Sequence, residues 1–245
     1  MERLPGILIT ARLKSTRLKK KILKNLNNTS IISYQIRKIK SYFKNNKIIL
    51  ITSKLKTDDK LIDIAKIENI LYFRGSSLDV IRRIYDAAEK FDIKNIISIT
   101  ADNPLVDVKL LKKGFEEHVK TNNDFSYTTG LPIGTFGYFV KKDTIADVLK
   151  WKKKINTEVW GTFIRKEKKY KSGSINLAQK YITDPKKYRF TIDYKEDLKF
   201  ANKLLSKTNL KYPNLKELIN ICNKFPNILK INKKMKQKNI NHKVY

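Results

Sequence analysis

The chain has 245 residues, 41% of them hydrophobic, enough for one well-buried α/β domain without covalent staples. Its formal net charge of +31 is extreme, yet Lys, Asn and Ile are abundant in every segment, so compositional bias accounts for it without a nucleic-acid partner. The lone Cys222 excludes an intramolecular disulfide, Met1 to Pro5 lacks the apolar core of a signal peptide, and no stretch reaches the roughly 20 apolar residues of a membrane span. A soluble, cytoplasmic protein is expected.

Residues 6–10 read as a first strand, followed by a loop. Between positions 9 and 23 the chain carries six basic side chains and no acid. Ser30 is a helix N-cap ahead of Ile32, Ile36, Ile39 and Phe43 at helical spacing. Residues 47–53 form a second strand, 58–68 a helix, 70–74 a third strand, 78–91 a helix and 96–101 a fourth strand. Short β-type runs alternating with amphipathic helices predict a three-layer α/β/α fold with a mostly parallel, doubly wound, Rossmann-like sheet.

The second half is less regular. Strands are expected at 125–129 and 135–140 around a Gly- and Pro-bearing turn, helices at 144–151 and 157–168, strands at 174–177 and 189–193, and a helix at 195–205. No Gly-, Pro- or Ser-rich linker divides the chain, so residues 1–245 are read as a single domain. Residues 130–185 are expected as an excursion serving as a lid, an acceptor contact or a dimer contact. Residues 218–245 contain seven lysines and no acid, which predicts a basic C-terminal tail from about residue 225.

In open α/β sheets, ligands bind beyond the carboxyl ends of the strands. Polar residues cluster there: Arg12, Ser15, Arg17 and Lys21 after the first strand, Thr52 and Ser53 after the second, Arg74 to Ser77 after the third, Asp102 and Asn103 after the fourth. Arginine forks and lysine point charges suit phosphate oxygens, so the first loop reads either as a phosphate cradle or as a solvated basic turn. It lacks the Gly-x-x-x-x-Gly-Lys pattern of a Walker loop. Asp102 and Asp193 each close an apolar run, as magnesium ligands beside a triphosphate or as helix N-caps. His118 lies in a charged helical stretch, His242 in the tail and Cys222 on an apolar helical pattern. Neither a His-based triad nor a zinc site is predicted; group transfer by positioning and electrostatics is.

Four ordered segments carry a resemblance. Ala11, Arg12, Ser15, Arg17, Leu18 and Lys21 match Ala-Arg-x-x-Ser-x-Arg-Leu-x-x-Lys; Arg74-Gly75-Ser76 with Asp79-Val80-Ile81-Arg82-Arg83 resembles Arg-Gly-Ser followed by Asp-Val-Leu-x-Arg. Residues 100–107 are similar to Thr-Gly-Asp-x-Pro-Leu-x-Asp. Arg189, Thr191 and Asp193 with Glu196-Asp197-Leu198 match Arg-x-Thr-x-Asp and Glu-Asp-Leu. These are signatures of the cytidylyltransferase family that contains the spore coat polysaccharide protein F group and, more distantly, the CMP-Kdo and CMP-sialic acid synthetases.

The resemblance implies a sheet of nucleotide-diphospho-sugar transferase type and an enzyme in which a sugar-acid hydroxyl attacks the α-phosphorus of CTP, giving a CMP-sugar and pyrophosphate for surface polysaccharide or glycan. It implies Mg2+ as cofactor, held by Asp102 and Asp193, and catalytic roles for Arg12, Lys21 and Asp102. Ala11, Arg12, Ser15, Arg17, Lys21, Thr52, Arg74, Gly75, Ser76, Asp79 and Asp102 would line the nucleotide. Arg83, Asn103, Tyr138, Glu158 and Arg189 would face the acceptor, and a homodimer fits this reading. The chain departs from the pattern at Lys14, Lys19 and Lys20, where many members have Gly, Pro and Gly. It also departs at residues 132–138, which carry no acid, and at residues 157–161, which replace a Glu-His-Val-Thr segment. The alternatives are another NTP, a sugar or polyol phosphate acceptor, or a nucleic-acid-binding protein with a vestigial pocket.

Overall fold

Ile7, Leu8 and Ile9 are wholly buried because β1 (Gly6–Thr10) lies inside a sheet covered on both faces, where a strand reads as a continuous apolar run. The computed structural model describes residues 4–236. The loop after β1 ends in a small hairpin, β2 (Asn25–Leu26) and β3 (Thr29–Ser30), turned by Asn27 and Asn28 at positive φ. The central sheet adds β4 (Ile48–Ser53), β5 (Leu71–Gly75), β6 (Asn95–Thr100), β7 (Phe125–Thr129), β8 (Tyr138–Lys141) and β9 (Ser172–Asn176). Its order is β5-β4-β1-β6-β8-β7-β9, and only β8 runs against its neighbours. The carboxyl ends of β5, β4, β1 and β6 therefore open on one rim.

The helices are α1 (Ile31–Tyr42), α2 (Asp59–Ile67), α3 (Val80–Lys90), α4 (Val108–Lys120), α5 (Lys142–Trp151), α6 (Gly161–Arg165), α7 (Lys195–Leu205) and α8 (Leu215–Lys224). Side chains of Ser30, Asp79, Asp107 and Asn214 cap α1, α3, α4 and α8, each such cap being worth about 1 kcal/mol. Helices α1, α2, α4, α7 and α8 cover one face of the sheet, and α3, α5 and α6 the other. This is the expected three-layer, mostly parallel architecture. Among the described residues no helix is long and apolar enough to cross a membrane.

Five expectations need correction. Residues 130–185 do not stand apart as an excursion, because β8 and β9 join the sheet and α5 packs beside α3. Residues 189–193 are not a strand. Their N–H groups are taken by loops and a carboxylate: Phe190 donates to the Ile133 carbonyl, Ile192 to the Asp102 carbonyl and Asp193 to the Asp197 side chain. The helix expected at 157–168 is reduced to α6, since Thr157 is held by the start of α3 through its N–H on the Leu78 carbonyl and its hydroxyl on Asp79. The strand expected from residue 135 starts at Tyr138, because Thr135 turns back to the Pro132 carbonyl. The basic tail also begins inside the fold: Asn232 is buried and donates to the Arg189 carbonyl and to Asp197. His242 and the rest of residues 237–245 lie outside the described residues.

Cys222 is buried in α8, and burial pushes its thiol up to about 12. His118 is buried in α4 with Nδ1 2.8 Å from the Ser126 hydroxyl. Burial, with Lys141 adding to it, lowers the His118 imidazole from 6.5 to about 4. Between those values the unfolded chain takes up a proton that the folded chain refuses, so stability falls as pH drops through this window, by roughly 3 kcal/mol at most. Urea unfolding at pH 7 and pH 4.5 checks this: His118→Gln should lose less stability than wild type, and equal losses would show that the imidazole is not the acid-sensitive group.

Candidate active site

The loop after β1 is pinned by apolar anchors between its charges. Leu13, Leu18 and Ile22 are buried, which leaves Lys14, Arg17, Lys19 and Lys20 outside. Ala11 donates its N–H to the Ile51 carbonyl, and Leu13 donates to Asp58 Oδ1 at 2.8 Å. Asp58 is itself buried and accepts from the Ser53 hydroxyl, so one carboxylate ties the loop to the carboxyl end of β4. Arg12 donates to the Ser77 carbonyl and Ser15 is half-buried in the loop.

Across the rim, this loop meets two carboxylates far away in sequence. Lys21 Nζ lies 2.7 Å from Asp102 Oδ2 and 2.8 Å from Asp193 Oδ1, and Arg17 Nη2 lies 2.8 Å from that same Asp193 oxygen. Arg189 Nη2 reaches Asp193 Oδ2 at 3.0 Å. Behind them, Asp197 is fully buried and accepts from Arg189 Nε, the Asp193 and Tyr194 N–H groups and Asn232 Nδ2. Neither Asp102 nor Asp193 caps a helix: α4 is capped by Asp107 and α7 by the Tyr194–Asp197 box. The helix-cap reading of the two aspartates therefore does not apply.

Burial opposes both charges of the central pair, yet the partners prevail. Asp102 and Asp193 hold the Lys21 ammonium above its ordinary 10.5, while Lys21, Arg17 and Arg189 hold the Asp193 carboxyl below its ordinary 3.8. The stabilisation from Asp193 is present above pH 3.8 and lost as pH falls through the lowered value. That from Lys21 is present below pH 10.5 and lost as pH rises through the raised one. The cluster is thus intact through the neutral range.

On the β4 and β5 side, Thr52 is wholly buried, and Gly75 ends β5 under the Arg83 side chain. Arg74 donates to the Ser53 and Leu55 carbonyls and pairs with Asp59 at 2.7 Å. The Ser76 hydroxyl accepts from the Asp79 N–H. Asp79, expected at the nucleotide, is almost buried and engaged otherwise: it accepts from the Arg82 N–H and the Thr157 hydroxyl and is ion-paired with Lys152. Arg83, expected at the acceptor, is fully buried and donates to the Ser76 carbonyl at 2.6 Å, so it presents no surface to a ligand here. Burial, reinforced by Arg12, lowers its guanidinium to about 10.

Among the other acceptor residues, Arg189 stands in the carboxylate cluster, and Asn103 donates to the Thr100 hydroxyl beside Asp102. Tyr138 packs edge-on to Trp160 at 5.4 Å on the opposite face of the sheet from α1, and Glu158 is exposed. Sequence reasoning missed Asp58 and Lys152. It places Asp197 in a motif without an orienting role, because an acid in the first turn of a helix is too common to signal one.

Among the described residues no group of three or more His, Cys, Asp or Glu side chains could hold a metal. The pair Asp102 and Asp193 nevertheless fits magnesium, which takes one or two carboxylates and completes its shell with phosphates and water. Both already converge on a single cation, the Lys21 ammonium.

A doubly wound sheet with a basic loop after its first strand and two carboxylates opposite has the ligand crevice and the charges that a nucleotidyltransferase needs. Residues 7–239 match the cytidylyltransferase family, and the chain belongs to that family. It is 29% identical over 227 residues to the spore coat polysaccharide biosynthesis protein SpsF of Bacillus subtilis, covering 89% of this chain and 94% of that one. The solved structure of a cytidylyltransferase from Leptospira borgpetersenii superposes with a TM-score of 0.84 at 26% identity, covering 97% of this chain and 98% of the other. CMP:2-keto-3-deoxy-manno-octonic acid synthetase, solved with CTP, shares the fold at a TM-score of 0.62 and 8% identity, over 83% of this chain and 98% of that one.

Proposed function

We propose that this cytidylyltransferase moves CMP from CTP to the hydroxyl of a sugar acid, releasing pyrophosphate, in a cytoplasmic step towards surface polysaccharide or glycan. The observation that carries the reading is the meeting of Arg17 and Lys21 with Asp102 and Asp193 across the rim. The acceptor hydroxyl oxygen forms a bond to the α-phosphorus and its proton passes to solvent, while the bond to the bridging oxygen breaks and pyrophosphate leaves with the electron pair. Arg12, Arg17 and Lys21 bind and orient the phosphates and offset charge growing on the leaving group. Asp102 and Asp193 would hold Mg2+, which when bound polarises the α-phosphoryl and the leaving oxygens. Arg189 and Asp197 fix the Asp193 carboxylate, and Asp58 fixes the loop.

The name of the Bacillus relative and the family match support the polysaccharide and CTP parts of this reading. Pyrophosphate release tests it. With a panel of keto sugar acids, release is expected with CTP and at least roughly tenfold less with ATP, GTP or UTP, a discrimination that a base-reading site supplies readily. Release with UTP or GTP but not CTP would falsify the nucleotide assignment. Turnover with a sugar phosphate or polyol phosphate alone would move the acceptor to that class.

A further inference from the structure

The two carboxylates assigned to a divalent cation are joined here by an ammonium. Lys21 Nζ stands 2.7 Å from Asp102 and 2.8 Å from Asp193, on a side chain only 13% exposed. Arg17 pairs with the same Asp193 oxygen as Lys21, and Arg189 pairs with the other. Together with Asp197, bound by Arg189, three carboxylates face three basic groups, and the cluster is formally neutral. The charge that a metal ion would compensate is therefore already compensated by the protein.

A dication entering between the aspartates would meet Lys21 as a like charge at contact distance, where repulsion is strongest. A triphosphate changes that balance by offering Lys21 and Arg17 a stronger anionic partner. Lys21 suits such a transfer: its ammonium is a point charge on a flexible four-carbon stem, while the neighbouring Ile22 is buried and holds the backbone in place.

We infer that Lys21 is a resident stand-in for the divalent cation, holding Asp102 and Asp193 together in the free protein and yielding them when nucleotide phosphates take its ammonium. The inference rests on the metal assignment proposed above. Cation and nucleotide both favour the state in which Lys21 has left the aspartates, so each tightens binding of the other by the same factor. The metal site is completed by the substrate and does not load first.

Manganese binding to the full chain, followed through the electron paramagnetic resonance signal of the free ion, tests this without turnover. Wild type alone should bind the ion weakly. Lys21→Met should bind it roughly tenfold or more tightly without nucleotide, within the 5–150-fold span of typical couplings. Adding Asp102→Asn should abolish that gain. Lys21→Gln, which keeps an amide donor but no charge, gives the same comparison if methionine disturbs the fold, with thermal unfolding as the check on both. Equal affinity in wild type and both Lys21 variants overturns the stand-in role, while CTP-dependent uptake that needs Asp102 still upholds the metal assignment. No Asp102-dependent uptake with or without CTP overturns both.

Discussion

Asp102→Asn is expected to lower turnover of CTP by roughly 100-fold or more while leaving the melting temperature close to wild type. The reason for the separation is the setting of the side chain. Asp102 is 27% exposed, and Lys21, its ion-pair partner, keeps Asp193 as a partner when the charge at 102 is gone. Asp193→Asn should lose activity at least as severely and also stability, by about 3 kcal/mol, because Arg17, Lys21 and Arg189 all converge on a carboxylate that is 4% exposed. Pyrophosphate release at saturating CTP, set beside urea unfolding of both variants, reads the two effects apart. Wild-type rates in both variants would remove the aspartates from the chemistry.

The second large effect lies away from any charge. Gly134 adopts φ +91°, and a Cβ placed there would stand 2.2 Å from the Thr191 nitrogen and 2.5 Å from the Phe190 carbonyl carbon. Those are backbone atoms, which cannot step aside as a flexible side chain could. The Ile133 carbonyl accepts from the Phe190 N–H in the same place, so the turn at 130–135 is the bed on which residues 189–193 lie. Gly134→Ala should therefore cost about 3 kcal/mol or more, combining backbone strain with a displaced segment. It should also reduce activity in the fraction that folds, since Arg189 and Asp193 ride on that segment. A urea midpoint unchanged from wild type would mean that the turn and the segment are not in this close contact.

The first hundred residues were the more legible part of the fold. Runs such as Ile48 to Ile51 are apolar throughout because both faces of the sheet are covered, and the helices between them keep one apolar stripe. Residues 189–193 place Phe190 and Ile192 in strand-like alternation, but their hydrogen bonds go to a turn and a side chain, and what replaces the ladder is set by a glycine 55 or more positions earlier. In the same way, Arg12, Arg17, Lys21, Asp102 and Asp193 could be named from their places after apolar runs. That Lys21 would span Asp102 and Asp193 was not legible, because it depends on contacts 81 and 172 residues long. Asp79 and Arg83 were placed by motif alone, and the motif does not say that Thr157 and Lys152 close over the first or that the second is sealed under Ser76.

Asn232 gives the site a dependence on time as well as on space. Its side chain holds both the Arg189 carbonyl and Asp197, and through them the carboxylate at 193. During synthesis the last strand of the sheet, β9, ends at Asn176 and Asp193 follows it, but Asn232, the last support of that carboxylate, is added 39 residues after Asp193, at roughly 5–20 residues per second. A nascent chain thus passes several seconds with its sheet complete and its second carboxylate unsecured, and the final turn is what converts a folded scaffold into a finished site.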